Sequence, residues 1–175
     1  AQEVILHLID IFENSLGKEF ITDLFNGTEA QETLWDGGMS TIRTPFTTLL
    51  LDVSEPCRLQ DLLEDRLEPI PVENYTDTSG TTHESAMVRN RIEKWPKFTS
   101  FSFSMYDYKF PIEIPEEFEG RRLFSVVIHQ GIQWGGHYAL IVRRYEKWYL
   151  KDDETITELK EAPKCGPFYM AWYRS

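Results

Sequence analysis

Leu123-Phe124-Ser125-Val126-Val127-Ile128-His129-Gln130-Gly131, Gly135-Gly136-His137-Tyr138-Ala139-Leu140-Ile141-Val142-Arg143 and Trp148-Tyr149-Leu150-Lys151-Asp152-Asp153-Glu154 follow one another in the last third of the chain. Each run is rich in β-branched and aromatic residues and is bounded by glycine or charge, the signature of successive antiparallel strands. Gln130 to Gly136 reads as a loop with three glycines joining the first two strands. His137 follows it at a strand edge, where backbone and ligand can approach closely. A tight connection near Arg144 and Tyr145 joins the next two strands. If the hairpin is centred on that pair, His137 lies directly opposite Asp152, with Cβ atoms about 4.5 to 5.5 Å apart. A shift of one residue would bring Asp153 there instead, and no Asn-Gly turn fixes the register. A carboxylate beside an imidazole orients the ring and stabilises its protonated form, leaving the second ring nitrogen to take a proton from a nucleophile.

Upstream, Val4, Ile5, Leu8, Phe12 and Leu16 recur at helical spacing, with Gly17 placed to end the helix. Phe20, Ile21, Leu24 and Phe25 form a second apolar run, Trp35-Asp36-Gly37-Gly38 reads as a turn, and Thr44 to Val53 as a strand. Leu59, Leu62, Leu63 and Leu67 make a short amphipathic helix. From Pro69 to Glu84 the composition shifts to Pro, Thr, Ser, Gly and acidic residues, which predicts a loop or flexible tip. Phe98 to Met105 alternates in period two, as a half-buried strand does. Four strand candidates follow at Leu123–His129, His137–Arg143, Lys147–Lys151 and Pro167–Tyr173. The pattern is α+β, with helices early and a largely antiparallel sheet late.

A length of 175 residues, 41% of them hydrophobic, suits a single domain spanning 1–175. A formal charge of -11 argues against nucleic acid and anionic membrane surfaces as partners and favours a partner with basic groups. Cys57 and Cys165 are far apart and in no paired spacing, so neither a disulfide framework nor a cysteine zinc site is expected, and a cytoplasmic or nuclear setting follows. No metal or other cofactor is predicted.

The three runs quoted at the outset, extended through Ile156-Thr157, resemble the histidine box of the ubiquitin-specific proteases. Ala1-Gln2-Glu3-Val4 with its helix, Leu24-Phe25-Asn26-Gly27, Thr44 to Val53 and Pro96 to Asp107 resemble further segments of that family, more thinly. The resemblance implies a papain-like architecture and a thiol hydrolase that cleaves isopeptide bonds after the C-terminal glycine of ubiquitin. It implies His137 as general base, Asp152 as its orienting partner and Asp153 as a polar helper near the oxyanion. Glu3, Gln130, Gly135, Gly136 and Tyr138 would line the passage for ubiquitin's tail. Ubiquitin or a ubiquitinated protein would be the partner. Residues 69–90 would be a flexible loop or a remnant of the family's fingers, whose zinc cysteines have no counterpart here. The nucleophilic cysteine would lie outside this chain, on the same polypeptide or on a second fragment. The alternative is an inactive ubiquitin-binding or scaffold domain of the same fold. Cys57, just ahead of a helix, is the local candidate for a thiolate, since a helix N-terminus lowers a thiol's pKa. Its place beside the leucine helix, away from the hairpin, speaks against that role, and Cys165 reads as incidental.

Overall fold

A computed structural model of the chain describes residues 2–105, 109–132 and 135–175. In chain order it runs α1 (Gln2–Leu16), α2 (Lys18–Phe25), β1 (Gly27–Trp35), β2 (Gly38–Phe46), β3 (Leu49–Asp52), β4 (Cys57–Arg58), α3 (Leu59–Leu67), β5 (Ile70–Thr76) and β6 (Thr82–Lys94). Then come β7 (Phe98–Ser104), β8 (Ile112–Glu113), β9 (Glu117–Phe118), β10 (Arg121–Ile132), β11 (Gly135–Arg144), β12 (Lys147–Asp152), β13 (Thr155–Leu159), β14 (Cys165–Gly166) and β15 (Phe168–Arg174). No described helix is long and apolar enough to cross a membrane.

An eight-stranded sheet in the order β13-β12-β11-β10-β15-β7-β3, with β9 on β10, dominates the fold. Its adjacent strands are antiparallel except β3 and β7, which run parallel. One face carries Leu51, Phe101, Leu123, Val126, Ile141 and Tyr173 into the main core, where Leu59 and Leu63 of α3 and Ile112 and Ile114 join them. Phe101 is fully buried and meets Phe118 and Tyr173 edge-on at centroid distances of 5.4 and 5.8 Å. The other face is covered at its centre by α2, whose Phe25 stacks on Phe98 at 5.3 Å and meets Trp172 edge-on.

That second cover corrects the expectation of a half-buried strand at Phe98 to Met105. β7 is an inner strand buried on both faces, and its Ser100 and Ser102 lie inside the molecule. Ser100 offsets the cost of burying a hydroxyl by donating to the Thr47 carbonyl at 3.0 Å and pairing with the Thr48 hydroxyl at 2.6 Å. The predicted strand at Thr44 to Val53 is likewise two strands, β2 and β3, which belong to different sheets.

The largest departure lies at 69–90. β5 and β6 form an antiparallel hairpin in a four-stranded sheet ordered β2-β1-β6-β5, which overturns the loop of the two alternatives expected there, a flexible loop or a remnant of the fingers. Its polar composition hid it, because side-chain pairing and a tight turn hold it in place of a deep core. Asp77 organises the turn: Oδ1 accepts from the Ser79 and Thr81 amides at 2.8 and 3.0 Å, and Oδ2 bonds His83 Nε2 at 2.9 Å. The hydrogen bond from His83 is the main reason this carboxyl sits far below its usual range. Trp35 packs against both Tyr75 and His83. Further along the sheet Glu32 is buried beneath Arg89 and Arg91, which bond its two oxygens at 2.7 and 3.1 Å. Arg66 of α3 clasps Glu29 of β1 through two nitrogens and also donates to the Leu50 carbonyl of β3, tying this sheet to the larger one.

Candidate active site

β11 brings His137 to the end of the large sheet. Alternation puts its side chain on the face that carries Ala139 and Ile141 inward, at the point where the core gives out. Arg144 pairs with Lys147, so the turn residues are Tyr145 and Glu146, one position later than the sequence suggested. Both have positive φ, 49° and 65°, the backbone that a two-residue hairpin of this hand demands, achieved without glycine. The register therefore slips by two residues, and β11 pairs with β12 only as far as Leu140 opposite Lys151. A slip of two keeps every side chain on its face, so His137 and Asp152 remain on one side as diagonal neighbours, where direct opposition was predicted. They still meet: His137 Nε2 is hydrogen-bonded to Asp152 Oδ1.

Asp153 begins the β12–β13 turn with φ 49°. It adds its charge to the site, since His137 is raised above its ordinary pKa first by the Asp152 hydrogen bond, then by the Asp152 charge and then by Asp153. The side chains of His137 and Asp152 are 43% and 48% exposed, so solvent screens the pair and its contribution to folding is small. Its sign is definite. A raised folded-state pKa gives stability fully present below about pH 6.5, the unperturbed value, and lost as pH rises through the folded-state value. In an NMR titration of the imidazole protons His137 is expected to titrate above about 6.5, and Asp152→Asn to bring it down. A midpoint unmoved by that substitution would contradict the pairing.

Among the other predicted site residues, Gln130 stands directly opposite His137 in the β10–β11 ladder and shares its face. The glycine loop is shorter than expected, because β10 continues to Ile132 and β11 resumes at Gly135. Residues 133 and 134 lie outside the described residues. Gly135 has open space where a side chain would stand, whereas a Cβ on Gly136 would fall 2.2 Å from His129 Nε2 and 2.5 Å from the Gln130 carbonyl oxygen. Gly136→Ala is therefore expected to force the hairpin tip apart and cost about 1 to 3 kcal/mol, read as a lowered urea midpoint. An unchanged midpoint would show that the tip yields freely. Tyr138 points to the face opposite His137, where it stacks on His129 at 4.5 Å and meets Tyr169 edge-on. The Glu3 side chain lies outside the described residues.

Sequence reasoning missed the support behind this hairpin. The Lys109 ammonium donates to the His129 carbonyl and lies 3.5 Å from His129 Nδ1. Burial first, and then the Lys109 charge, lower the pKa of His129. Lys109 and Tyr169 come from distant segments, and no local pattern announces either. Beside Tyr138, an open hollow of about 290 Å³ is lined by Val127, Ala139, Leu140, Lys151 and Asp153.

His137, Asp152 and Asp153 each offer one ligand atom, all within 4.8 Å of one another, the spacing that a single cation would need. His137 Nε2 is already engaged by Asp152. Neither cysteine enters this group. Cys57 lies on β4 opposite Ile112, and Cys165 on β14 opposite Glu113, so the two flank β8 in a small third sheet. Two strand spacings put them roughly 10 Å apart. That is beyond the reach of a disulfide. Burial is the main cause that pushes the Cys57 thiol up, with Asp61, Glu55 and Asp65 adding to it, the opposite of what an attacking thiolate needs.

The family described as Ubiquitin carboxyl-terminal hydrolase matches residues 1–171. No curated protein matches the sequence. Among solved structures, the SAGA Ubp8/Sgf11/Sus1/Sgf73 DUB module bound to ubiquitin aldehyde is similar with a TM-score of 0.75 at 17% identity, over 87% of this chain and 41% of that one. A yeast form of the module carrying an Sgf73 mutant gives 0.76 at 18% identity, over 87% and 41%. A form with a shortened Sgf11 gives 0.84 at 16% identity, over 99% and 49%. At these identities the likeness establishes the fold, and the chain spans less than half the length of these three chains.

Proposed function

The chain belongs to the ubiquitin carboxyl-terminal hydrolase family, and from that premise we propose that it supplies the acid–base half of a thiol hydrolase site acting after the C-terminal glycine of ubiquitin. The observation that carries the proposal is the His137–Asp152 pair at the end of β11. With Nε2 held by the aspartate, Nδ1 is the nitrogen left to accept a thiol proton, and among the described residues it has no other partner. The resulting thiolate attacks the glycine carbonyl, and the imidazolium returns the proton to the departing lysine amine as the carbon–nitrogen bond breaks. Water, activated by the same imidazole, then hydrolyses the thioester and frees the thiol. Asp152 keeps the ring turned and stabilises its charged state, and the negative charge of Asp153 adds to that stabilisation of the imidazolium. Gln130, sharing the face of His137, and the side-chain-free backbone at Gly135 and Gly136 give the narrow passage that a Gly-Gly tail requires.

The cysteine comes from outside these residues, since Cys57 is raised by burial and acidic neighbours and Cys165 sits in the small sheet. The second reading, a domain that binds ubiquitin without cleaving it, is favoured by that same lack of a local thiolate. A fluorogenic ubiquitin ester separates the two. The 175-residue chain is expected to release no fluorophore above buffer, and the full polypeptide encoded by its gene to turn over. A full polypeptide that binds ubiquitin but leaves the ester intact would establish the binding-only reading. Activity of the short chain abolished by Cys57→Ala would overturn both.

A further inference from the structure

The end of the β10–β11 hairpin that carries His137 stands clear of the rest of the large sheet. β15 pairs with β10 only as far as Phe168 opposite Ile128, and β12 pairs with β11 only as far as Lys151 opposite Leu140. From the His129–Tyr138 pair outward the two strands pair only with each other, and a two-stranded ribbon is marginal in water. On the β12 side it is steadied by the bond from His137 to Asp152. On the β15 side the support falls to Lys109 and His129. The Lys109 ammonium donates to the His129 carbonyl, one residue past the last pair with β15. A charged donor makes that bond stronger than the neutral ladder bond it stands in for. The His129 ring stacks on Tyr138, meets Tyr169 of β15 edge-on at 5.9 Å and lies where a Gly136 side chain would stand. One imidazole thus reaches from β15 to the residue before His137.

The same ammonium lies 3.5 Å from His129 Nδ1. A neutral imidazole can turn a lone pair toward it, whereas a protonated one presents an N–H and a second positive charge. Tyr138 and Tyr169 bring phenol rings to this imidazole, Gly136 brings backbone, and among the described residues no carboxylate bonds it. Lys151 and Asp153 line the hollow beside Tyr138 and are not among the charges that shift the ring. Burial, then the Lys109 charge and, least, the charge of the terminal amine disfavour the imidazolium. His137, paired on the next rung, is held the opposite way by Asp152. We propose that Lys109 and His129 form a latch that positions the His137 end of β11, closed while the His129 ring is neutral and opened when it takes a proton. Its bearing on turnover rests on the hydrolase reading above. Because the His129 pKa is depressed in the folded hairpin, the latch is at full strength above about pH 6.5, the unperturbed value, and loses stability as pH falls below it.

The test combines two readouts: an NMR titration of the 175-residue chain, following the imidazole protons and the amide exchange of Gly135, Gly136 and His137, and ester turnover by the full polypeptide encoded by its gene. His129 is expected to titrate below about 6.5. Below that midpoint the three amides, corrected for intrinsic exchange, are expected to exchange at least about tenfold faster. Lys109→Met is expected to raise the midpoint and leave the amides fast at every pH. In the full polypeptide it is expected to lower kcat about tenfold with KM within about twofold, and Lys109→Arg, which keeps the charge and a donor, to restore most of the loss. A lysine that only filled space would leave the His129 midpoint where it is. Exchange without a step at the His129 midpoint, a midpoint unmoved by Lys109→Met, or an unchanged kcat would each overturn the proposal. The step in the unaltered chain decides the matter even where Lys109→Met fails to fold. A step with no ester turnover in the full polypeptide would leave the latch standing and remove the hydrolase reading. Turnover without a step would do the reverse.

Discussion

His137→Ala, made in a polypeptide that carries the nucleophile, is expected to lower turnover of a ubiquitin ester by about 10²- to 10⁴-fold, the usual worth of a positioned general base. Binding of ubiquitin is expected to stay within about twofold, because the imidazole acts on the proton in the transition state and little on the ground state. Asp152→Asn is expected to do less harm. The amide keeps a hydrogen-bond partner on Nε2 but loses the charge that raises the imidazole. Asp153→Asn is expected to do least, since its share in raising His137 comes after both effects of Asp152. That order, His137 over Asp152 over Asp153, is the content of the prediction. Full turnover in His137→Ala would refute the assignment outright, and a larger loss for Asp153→Asn than for Asp152→Asn would exchange the roles of the two aspartates.

Phe101→Ala is expected to be the most damaging single change to stability, costing about 3 to 5 kcal/mol. Its ring is fully buried in the middle of β7, with Trp95, Phe118 and Tyr173 set edge-on around it, so truncation leaves a cavity that three rigid rings cannot close. Phe101→Leu, which fills more of that space, is expected to cost less. Ile42→Ala on β2 is the control: its side chain is 62% exposed, and such surface positions change stability by within about 0.5 kcal/mol. Urea unfolding of the three variants reads the comparison directly. Equal midpoints for Phe101→Ala and Ile42→Ala would show that the core packs otherwise.

Local pattern alone carried the helix at Leu59–Leu67, the first helix ending at Gly17, and the four late strands to within a few residues. Each of these depends on periodic apolar residues and a breaker, which are visible without knowing what they pack against. Pattern also brought His137 and Asp152 to one face, and it did so despite a wrong turn centre, because a two-residue slip preserves the alternation of a strand. Only the tertiary structure decided the rest. The serines of β7 read as solvent-facing until α2 is laid over them, since a hydroxyl is buried only where distant partners such as Thr47 and Thr48 satisfy it. The hairpin of β5 and β6 read as a loop because its stability comes from pairing with β1 and from the Asp77 turn, both non-local or geometric. Lys109 and Tyr169 reach the His129 hairpin across long stretches of chain, and no spacing rule connects them. Sequence periodicity reports which way a side chain points; what it meets there depends on which segments the fold brings across, and that is set by packing over the whole chain.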